Sequence, residues 1–247
     1  MENNLSVVLI AHNEEINMAR MIKGLIESYD KEILEIVVVD DYSSDKTPLI
    51  VKDLQKKYKK VRLIRKGPPC GVGRALKTGF KSINPKAEYI LSMDSDFVQN
   101  IDQITFLIHE IEKGYDGVIG SRFIKGGRLI RYPVLKRIMN RFFHLAVRIL
   151  FNIRCGDLSN NFKLYKKELF QELPYLSSDF AMNAETGILP IIYGYKIKEV
   201  PVSWVERSKG MGKSKFSILK YGPSYIKVIF NLILGKYTKT IRKYFSN

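Results

Sequence analysis

The sequence predicts an α/β domain with a mainly parallel central sheet flanked by helices, and three observations carry that prediction. Apolar runs at 5–11, 34–39 and 89–93 read as strands, the first of them near-continuous and so buried on both faces, and 61–64 reads as a short strand. Helix-like segments at about 16–29 and 47–58 stand between the first three strands in chain order, the spacing of right-handed strand–helix–strand crossovers. Polar and acidic residues then follow successive strands: Asn13 and Glu14, Asp40 and Asp41, Asp94 and Asp96. The carboxyl ends of strands in an open α/β sheet share one edge, so these clusters should converge on one crevice.

At 247 residues, 45% hydrophobic and 27% charged, the chain is long enough for one large domain with a substantial core. No low-complexity tract or repeat interrupts it. Cys70 and Cys155 form no metal-spaced pair and three scattered histidines add none, which fits a reducing compartment. The start of the chain shows no basic region leading into an apolar one, so no signal peptide is expected. No apolar run reaches the roughly 18–20 residues that span a bilayer. The formal charge of +16 is concentrated in two segments. Residues 121–167 carry twelve Lys/Arg against the single acid Asp157, and residues 207–247 carry ten and no acid. The remainder is mildly acidic, which points to an anionic partner at one surface.

Along the chain, the second strand closes on Asp40-Asp41-Tyr42-Ser43-Ser44-Asp45, and Pro48 suits the first turn of the next helix. The stretch Gly67-Pro68-Pro69-Cys70-Gly71-Val72-Gly73-Arg74-Ala75 invites a nucleotide-loop reading. Leu76 stands where a dinucleotide fingerprint needs its third glycine, and Gly-Lys-Ser/Thr is absent, so dehydrogenase and P-loop readings fail. A glycine loop that lets backbone approach a diphosphate and a plain turn both remain open. The run Tyr89–Asp94 ends in Asp94-Ser95-Asp96. Alternation sends both carboxylates off one face, where they could hold a hard divalent cation.

A helix is expected at about 101–112, a strand at 116–120 and a basic, glycine-containing loop at 121–127. The helix predicted over 133–151 sets Arg137, Arg141, His144 and Arg148 on one stripe beside a broad apolar face. That pattern suits a membrane interface; packing between elements is the alternative. A strand is expected over 196–205 and a second basic amphipathic segment over 218–234. Basic residues beside aliphatics fit anionic headgroups. Neither aromatic stacking platforms nor a nucleic-acid motif is present, so no nucleic-acid partner is expected.

In order and spacing, Val7-Val8-Leu9-Ile10-Ala11-His12-Asn13-Glu14, Val39-Asp40-Asp41-Tyr42-Ser43-Ser44-Asp45, Met93-Asp94-Ser95-Asp96 and Gly120-Ser121-Arg122-Phe123 resemble family 2 glycosyltransferases of the GT-A fold. Residues 121–127, Ile197-Lys198-Glu199-Val200-Pro201-Val202, Arg207 and Gly212-Lys213-Ser214-Lys215 look like the dolichol-phosphate mannose synthase and polyprenyl-phosphate glycosyltransferase branch. Three departures stand out. Ile10-Ala11-His12-Asn13-Glu14 replaces Pro-x-Tyr-Asn-Glu; Val98, followed by Gln99, replaces a Gln two residues after the second aspartate; Asn160-Asn161-Phe162-Lys163 replaces Ser-Gly-Phe-Arg.

The resemblance implies an inverting transfer of a mannose- or glucose-type sugar from a GDP- or UDP-sugar to a polyprenyl phosphate. It implies Mg²⁺ or Mn²⁺ on Asp94 and Asp96, with Asp96 the stronger ligand expectation and Asp94 also able to act on the ribose. Ala11, His12, Glu14, Asp40, Asp41, Gly73 and Asp94 would contact the donor. Arg122, Arg131, Arg207 and Lys215 would hold the acceptor phosphate, and Asp94, Asp96 and Arg122 would be catalytic. Residues 1–215 would form the catalytic domain, including the basic loop and interface helix of 121–155. Residues 216–247 would form a basic membrane-proximal segment. The expected place is peripheral, on the cytoplasmic face of a membrane with an anionic surface, with a homo-oligomer or a membrane-protein partner. One alternative is a relative acting on a sugar hydroxyl, with Glu185 as base; a buried helix-start glutamate making local hydrogen bonds is the other reading of that residue. A second is a non-enzymatic basic module that binds membrane or nucleic acid.

Overall fold

The computed structural model describes residues 1–205 and 216–237. In chain order the elements are β1 (Leu5–Ala11), α1 (Met18–Tyr29), β2 (Ile33–Asp40), α2 (Thr47–Lys57), β3 (Val61–Arg65), α3 (Val72–Lys81) and β4 (Tyr89–Asp94). A 3-10 turn (Phe97–Gln103) leads into α4 (Ile104–Glu112), then β5 (Gly117–Ser121), β6 (Arg128–Ile130) and α5 (Val134–Phe151). The remaining elements are β7 (Lys163–Lys166), α6 (Lys167–Gln171), α7 (Met182–Ile192), β8 (Ile197–Pro201), β9 (Ser203–Val205) and α8 (Ile218–Ile233).

Seven strands form one sheet in the order β3-β2-β1-β4-β7-β5-β8, and β6 pairs with β9 in a separate ribbon. The β1–β2, β2–β3, β1–β4 and β5–β8 pairs are parallel, as the crossover spacing predicts. β7 runs antiparallel to both β4 and β5.

Strand alternation explains how both faces are covered. Leu5, Val7, Leu9 and Ala11 of β1 join Ile36 and Val38 of β2 in a core closed by α1, α2 and α4. Helix α1 buries Met18, Met21, Ile22, Leu25 and Tyr29, one helical stripe. Val8 packs on the opposite face with Leu76 and Phe80 of α3 and Leu169 and Phe170 of α6. Gly79 lets α3 lie close to the sheet, since a Cβ there would stand 2.5 Å from Val8 Cγ1.

The chain changes direction along the sheet at β1, with β2 on one side and β4 on the other. Ala11 is in register with Asp40 and Ile10 with Asp94, so three strand ends carrying polar residues lie side by side. That is the switch-point crevice where open α/β sheets bind ligands.

Three features depart from the sequence reading. The strand expected over 196–205 is two strands in different sheets, broken after Pro201, which has no N–H for a ladder. The helix expected from 101 begins as a 3-10 turn at Phe97. His144 leaves the basic stripe of α5 and turns into the protein. Its Nε2 accepts from the Leu158 N–H at 2.7 Å, which leaves Nδ1 to donate to the Asn140 carbonyl at 2.7 Å. Burial pulls the His144 imidazolium down, so the ring is held neutral.

Helix α5 otherwise buries only Val147 and packs with α7 and α8 through a cluster of Val147, Leu158, Ala184, Ile188 and Val228. Its outer face stays open, with Leu135 62%, Phe142 63% and Ile149 72% exposed.

Candidate active site

The crevice is built from turns that tie the ends of β1 and β2 together. Asn13, at φ 58, accepts the Ser44 N–H on Oδ1 at 2.8 Å and donates its own N–H to Ser43 Oγ at 2.9 Å. Asn tolerates this left-handed backbone better than most residues. The His12 Nδ1 lies 2.8 Å from the Asp41 carbonyl. Glu14 is buried, its carboxylate accepting from Asn17 Nδ2 at 2.8 Å at the entry to α1. Asp40 is also buried, taking the Ser43 N–H at 3.2 Å and pairing with Arg65 at 3.3 Å.

Asp41 reaches the glycine loop. Its Oδ2 accepts the Gly71 N–H at 2.7 Å, and its Oδ1 pairs with Lys66 at 3.0 Å. Gly73 has a packing reason of its own: a Cβ there would lie 2.7 Å from the Ser178 carbonyl carbon and 2.8 Å from the Ser177 oxygen. The loop is thus sandwiched between Asp41 and the 177–179 segment, and Arg74 N–H donates to the Ser178 carbonyl at 3.2 Å.

Asp94, the last residue of β4, is exposed in the crevice, and Asp96 is half-buried at the start of the 3-10 turn. Asn161 Nδ2 donates to Asp94 Oδ1 at 2.9 Å. Val98 packs against the core and Gln99 is exposed. Among the described residues no group of three or more His, Cys, Asp or Glu could hold a metal by itself. Two carboxylates two residues apart, Asp94 and Asp96, nonetheless fit Mg²⁺ or Mn²⁺, hard cations that take few protein oxygens and complete their shell from phosphates and water.

Arg122 follows β5 and is buried. Its Nε and Nη2 donate to the two oxygens of Asp157 at 2.6 and 2.8 Å, and its backbone N–H adds a third bond at 3.0 Å. Burial raises the Asp157 carboxyl, but the Arg122 charge and these bonds outweigh it and hold it below the usual carboxylate range. Tyr132 and Phe123 lie against the guanidinium, with centroids 5.7 and 5.6 Å away. Arg122 is therefore a fixed cation at the crevice wall. Arg131 is exposed, at φ 57, beyond β6. Arg207 and Lys215 lie outside the described residues.

Two further groups are fully committed inside the protein. Glu185 is completely buried, and its carboxylate accepts from Leu176 N, Ser177 N, Ser177 Oγ and Tyr237 Oη at 2.9, 3.0, 2.7 and 2.6 Å. It holds the 176–177 turn and the end of the described chain, and both its oxygens are taken up by these donors. Lys163 is also fully buried, donating to the carbonyls of Leu158 and Asn183 at 3.0 and 2.5 Å and to Thr186 Oγ1 at 2.8 Å. Burial pulls its ammonium down to about 7.

The site thus brings together the predicted Ala11, His12, Glu14, Asp40, Asp41, Gly73, Asp94 and Asp96 around one crevice, with Arg122 set by a partner that the sequence did not assign. Asp157, Lys66 and Asn161 were missed. Asp157 had a signal, as the single acid in a stretch of twelve basic residues.

A switch-point crevice, an antiparallel strand between β4 and β5, and paired aspartates at the end of β4 define the GT-A fold of nucleotide-sugar transferases. Solved structures agree. The chain superposes on glucosyl-3-phosphoglycerate synthase from Mycobacterium tuberculosis in complex with Mn²⁺, UDP and phosphoglyceric acid with a TM-score of 0.70, at 18% identity, covering 93% of this chain and 77% of that one.

The chain belongs to glycosyl transferase family 2, whose family model matches residues 6–174. Among curated proteins it is 29% identical to the dolichol-phosphate mannosyltransferase of Pyrococcus furiosus over 93% of its length, and spans 63% of that relative. It is 23% identical to the polyprenol monophosphomannose synthase of Mycolicibacterium smegmatis, covering 87% of this chain and 82% of the relative. It is 27% identical to the dolichyl-phosphate beta-glucosyltransferase of Dictyostelium discoideum, covering 94% and 75%.

Proposed function

We propose that this protein transfers a mannose- or glucose-type sugar, with inversion, from a GDP- or UDP-sugar to a polyprenyl phosphate at a membrane surface. The observation that carries the acceptor class is the cage around Glu185. A sugar hydroxyl must lose a proton during transfer and needs a base. The carboxylate that could serve is buried under four donors. A phosphate acceptor is already ionised near neutral pH and needs none. The relatives named for transfer to dolichyl or polyprenyl phosphate support the same class.

Asp94 and Asp96 would hold Mg²⁺ or Mn²⁺ against the donor diphosphate, where the cation supplies Lewis-acid neutralisation of the leaving group's charge. The turn joining Asn13 to Ser44 and the Asp41-anchored glycine loop form the nucleoside wall. Arg122, held by Asp157, supplies a fixed positive charge for an incoming phosphate; Arg131, Arg207 and Lys215 are the further candidates. Leu135, Phe142 and Ile149 on α5, with Ile226 and Phe230 on α8, offer an apolar face edged by Arg137, Arg141 and Arg148. Such a face suits an anionic bilayer surface. Among the described residues no helix is long and apolar enough to cross a membrane.

A donor screen with a short polyprenyl phosphate and Mn²⁺ or Mg²⁺, scored for glycolipid, tests the reading. Glycolipid from one donor supports it, and transfer to a free sugar hydroxyl without glycolipid overturns it. Flotation tests the surface separately: the protein should rise with anionic liposomes at low salt, and retention in the soluble fraction would remove the membrane from the account.

A further inference from the structure

We propose that Asn161 is a positioning residue that fixes the carboxylate of Asp94 for the metal–diphosphate complex. The inference rests on the donor half of the proposed function and is independent of the acceptor.

The placement begins with topology. β7 is the antiparallel neighbour of β4, in a register that pairs Tyr89 with Lys166 and Ser92 with Lys163. The same register carried two residues further sets Asn161 opposite Asp94. Residues two apart on a strand share a face, and residues directly opposite on paired strands share it too. Ser92, Asp94, Asn161 and Lys163 therefore line one side of the sheet edge. A parallel strand in this place would run the other way and bring a different residue to the end of β4.

The hydrogen bonds give the amide a single sense. Ser92 Oγ donates to Asn161 Oδ1 at 2.7 Å, and Asn161 Nδ2 donates to Asp94 Oδ1 at 2.9 Å. Reversing the amide would set its oxygen against the carboxylate, so the carboxylate itself dictates the orientation. Ser92 and Asn161 are buried, whereas Asp94 is exposed. The relay therefore links a solvent-facing ligand to the rigid interior of the sheet. Its far end is held as well. The neighbouring Asn160 donates to the Gly120 carbonyl at 2.6 Å, and Lys163 is tied to α7 by its bonds to Asn183 and Thr186.

A site with two protein carboxylates has little redundancy should one of them turn away from the cation. Val98, packed on the core, adds no oxygen. Hydrogen-bonded partners of metal ligands fix their orientation, and losing one costs about 10–100-fold in metal affinity or activity. Asn161 is such a partner for Asp94.

The test reads metal binding directly. Mn²⁺ affinity is measured by electron paramagnetic resonance in the presence of GDP or UDP, without acceptor, for wild type, Asn161→Ala and Ser92→Ala. Asn161→Ala should weaken Mn²⁺ binding about 10-fold or more. Ser92→Ala, which removes only the hydroxyl that anchors the amide oxygen, should weaken it less and in the same direction. The double variant should be no worse than Asn161→Ala, because both act through one relay. Thermal unfolding of each variant separates this effect from loss of fold. If Asn161→Ala does not fold, Ser92→Ala decides alone. Mn²⁺ binding within 2-fold of wild type in the folded variants overturns the proposal, as does a wild-type protein that binds no Mn²⁺ with either nucleotide. Wild type that binds Mn²⁺–nucleotide but makes no glycolipid would instead overturn the acceptor assignment and leave Asn161 in place.

Discussion

The Arg122–Asp157 pair makes the sharpest stability prediction, through the substitution Asp157→Asn. Both side chains are buried, and Asp157 receives three bonds from one arginine. Asparagine keeps one acceptor oxygen and turns the other into an NH₂ aimed at a guanidinium N–H. The cation is left buried without a counter-charge, and removing one partner of a buried pair costs about 3–5 kcal/mol. For a chain of this size each kcal/mol lowers the midpoint by roughly 2–4 °C, so thermal unfolding should shift down by about 6–20 °C.

The pH dependence supplies a second reading. The native Asp157 carboxyl lies below its unfolded value of about 4, so its contribution is present above that value. It is lost as pH falls through the lower native value. The gap between wild type and variant, followed by urea unfolding, should therefore narrow only in strong acid. A shift under about 1 kcal/mol, or a gap unchanged between neutral and strongly acidic pH, would refute the reasoning. Arg122→Met combined with Asp157→Leu should recover part of the loss, since apolar pairs often replace buried ion pairs without penalty.

Glu185→Gln should lower stability by about 1–3 kcal/mol, because one caged oxygen becomes a donor facing donors. At 25 °C its kcat should stay within a few-fold of wild type, whereas losing a true base would cost about 10²–10⁴-fold. Gly73→Ala must push the 177–179 segment away and should cost about 1–3 kcal/mol with weaker donor binding, read by calorimetry with GDP and UDP. Phe142→Glu with Ile149→Glu on α5 should leave the thermal midpoint nearly unchanged and abolish liposome flotation at low salt; retained flotation would move the membrane contact elsewhere.

The parallel half of the sheet was legible because its strands are unbroken apolar runs, each closing on acids that cannot stay in a core. β1, β2 and β4 carry both signals, so the sequence alone places Asp94 and Asp96 at the crevice. β7 carries neither. Lys163-Leu164-Tyr165-Lys166 is four residues with lysines at both ends, and one of those lysines is buried by tertiary bonds that no local pattern encodes. Helix α7 was legible only at its start, at Glu185, for a related reason. Met182 to Pro190 are all buried, so no polar face gives a helical period, and Gly187 and Pro190 argue against a helix locally. Asn161 and Asp157 acquire their roles only through pairings 67 and 35 residues long. His144 shows the converse error, since its spacing fits the basic stripe while its ring fills a hydrogen-bonded slot below Leu158.

The measurement that tests the central claim most directly is product analysis with the full chain on anionic liposomes carrying a polyprenyl phosphate, a labelled GDP-mannose or UDP-glucose, and Mn²⁺. The account predicts a polyprenyl-phosphate glycoside with inverted anomeric configuration, lost in Asp94→Ala and Asp96→Ala. Label transferred to a sugar hydroxyl, or a phosphate glycoside still formed by both aspartate variants, would contradict it.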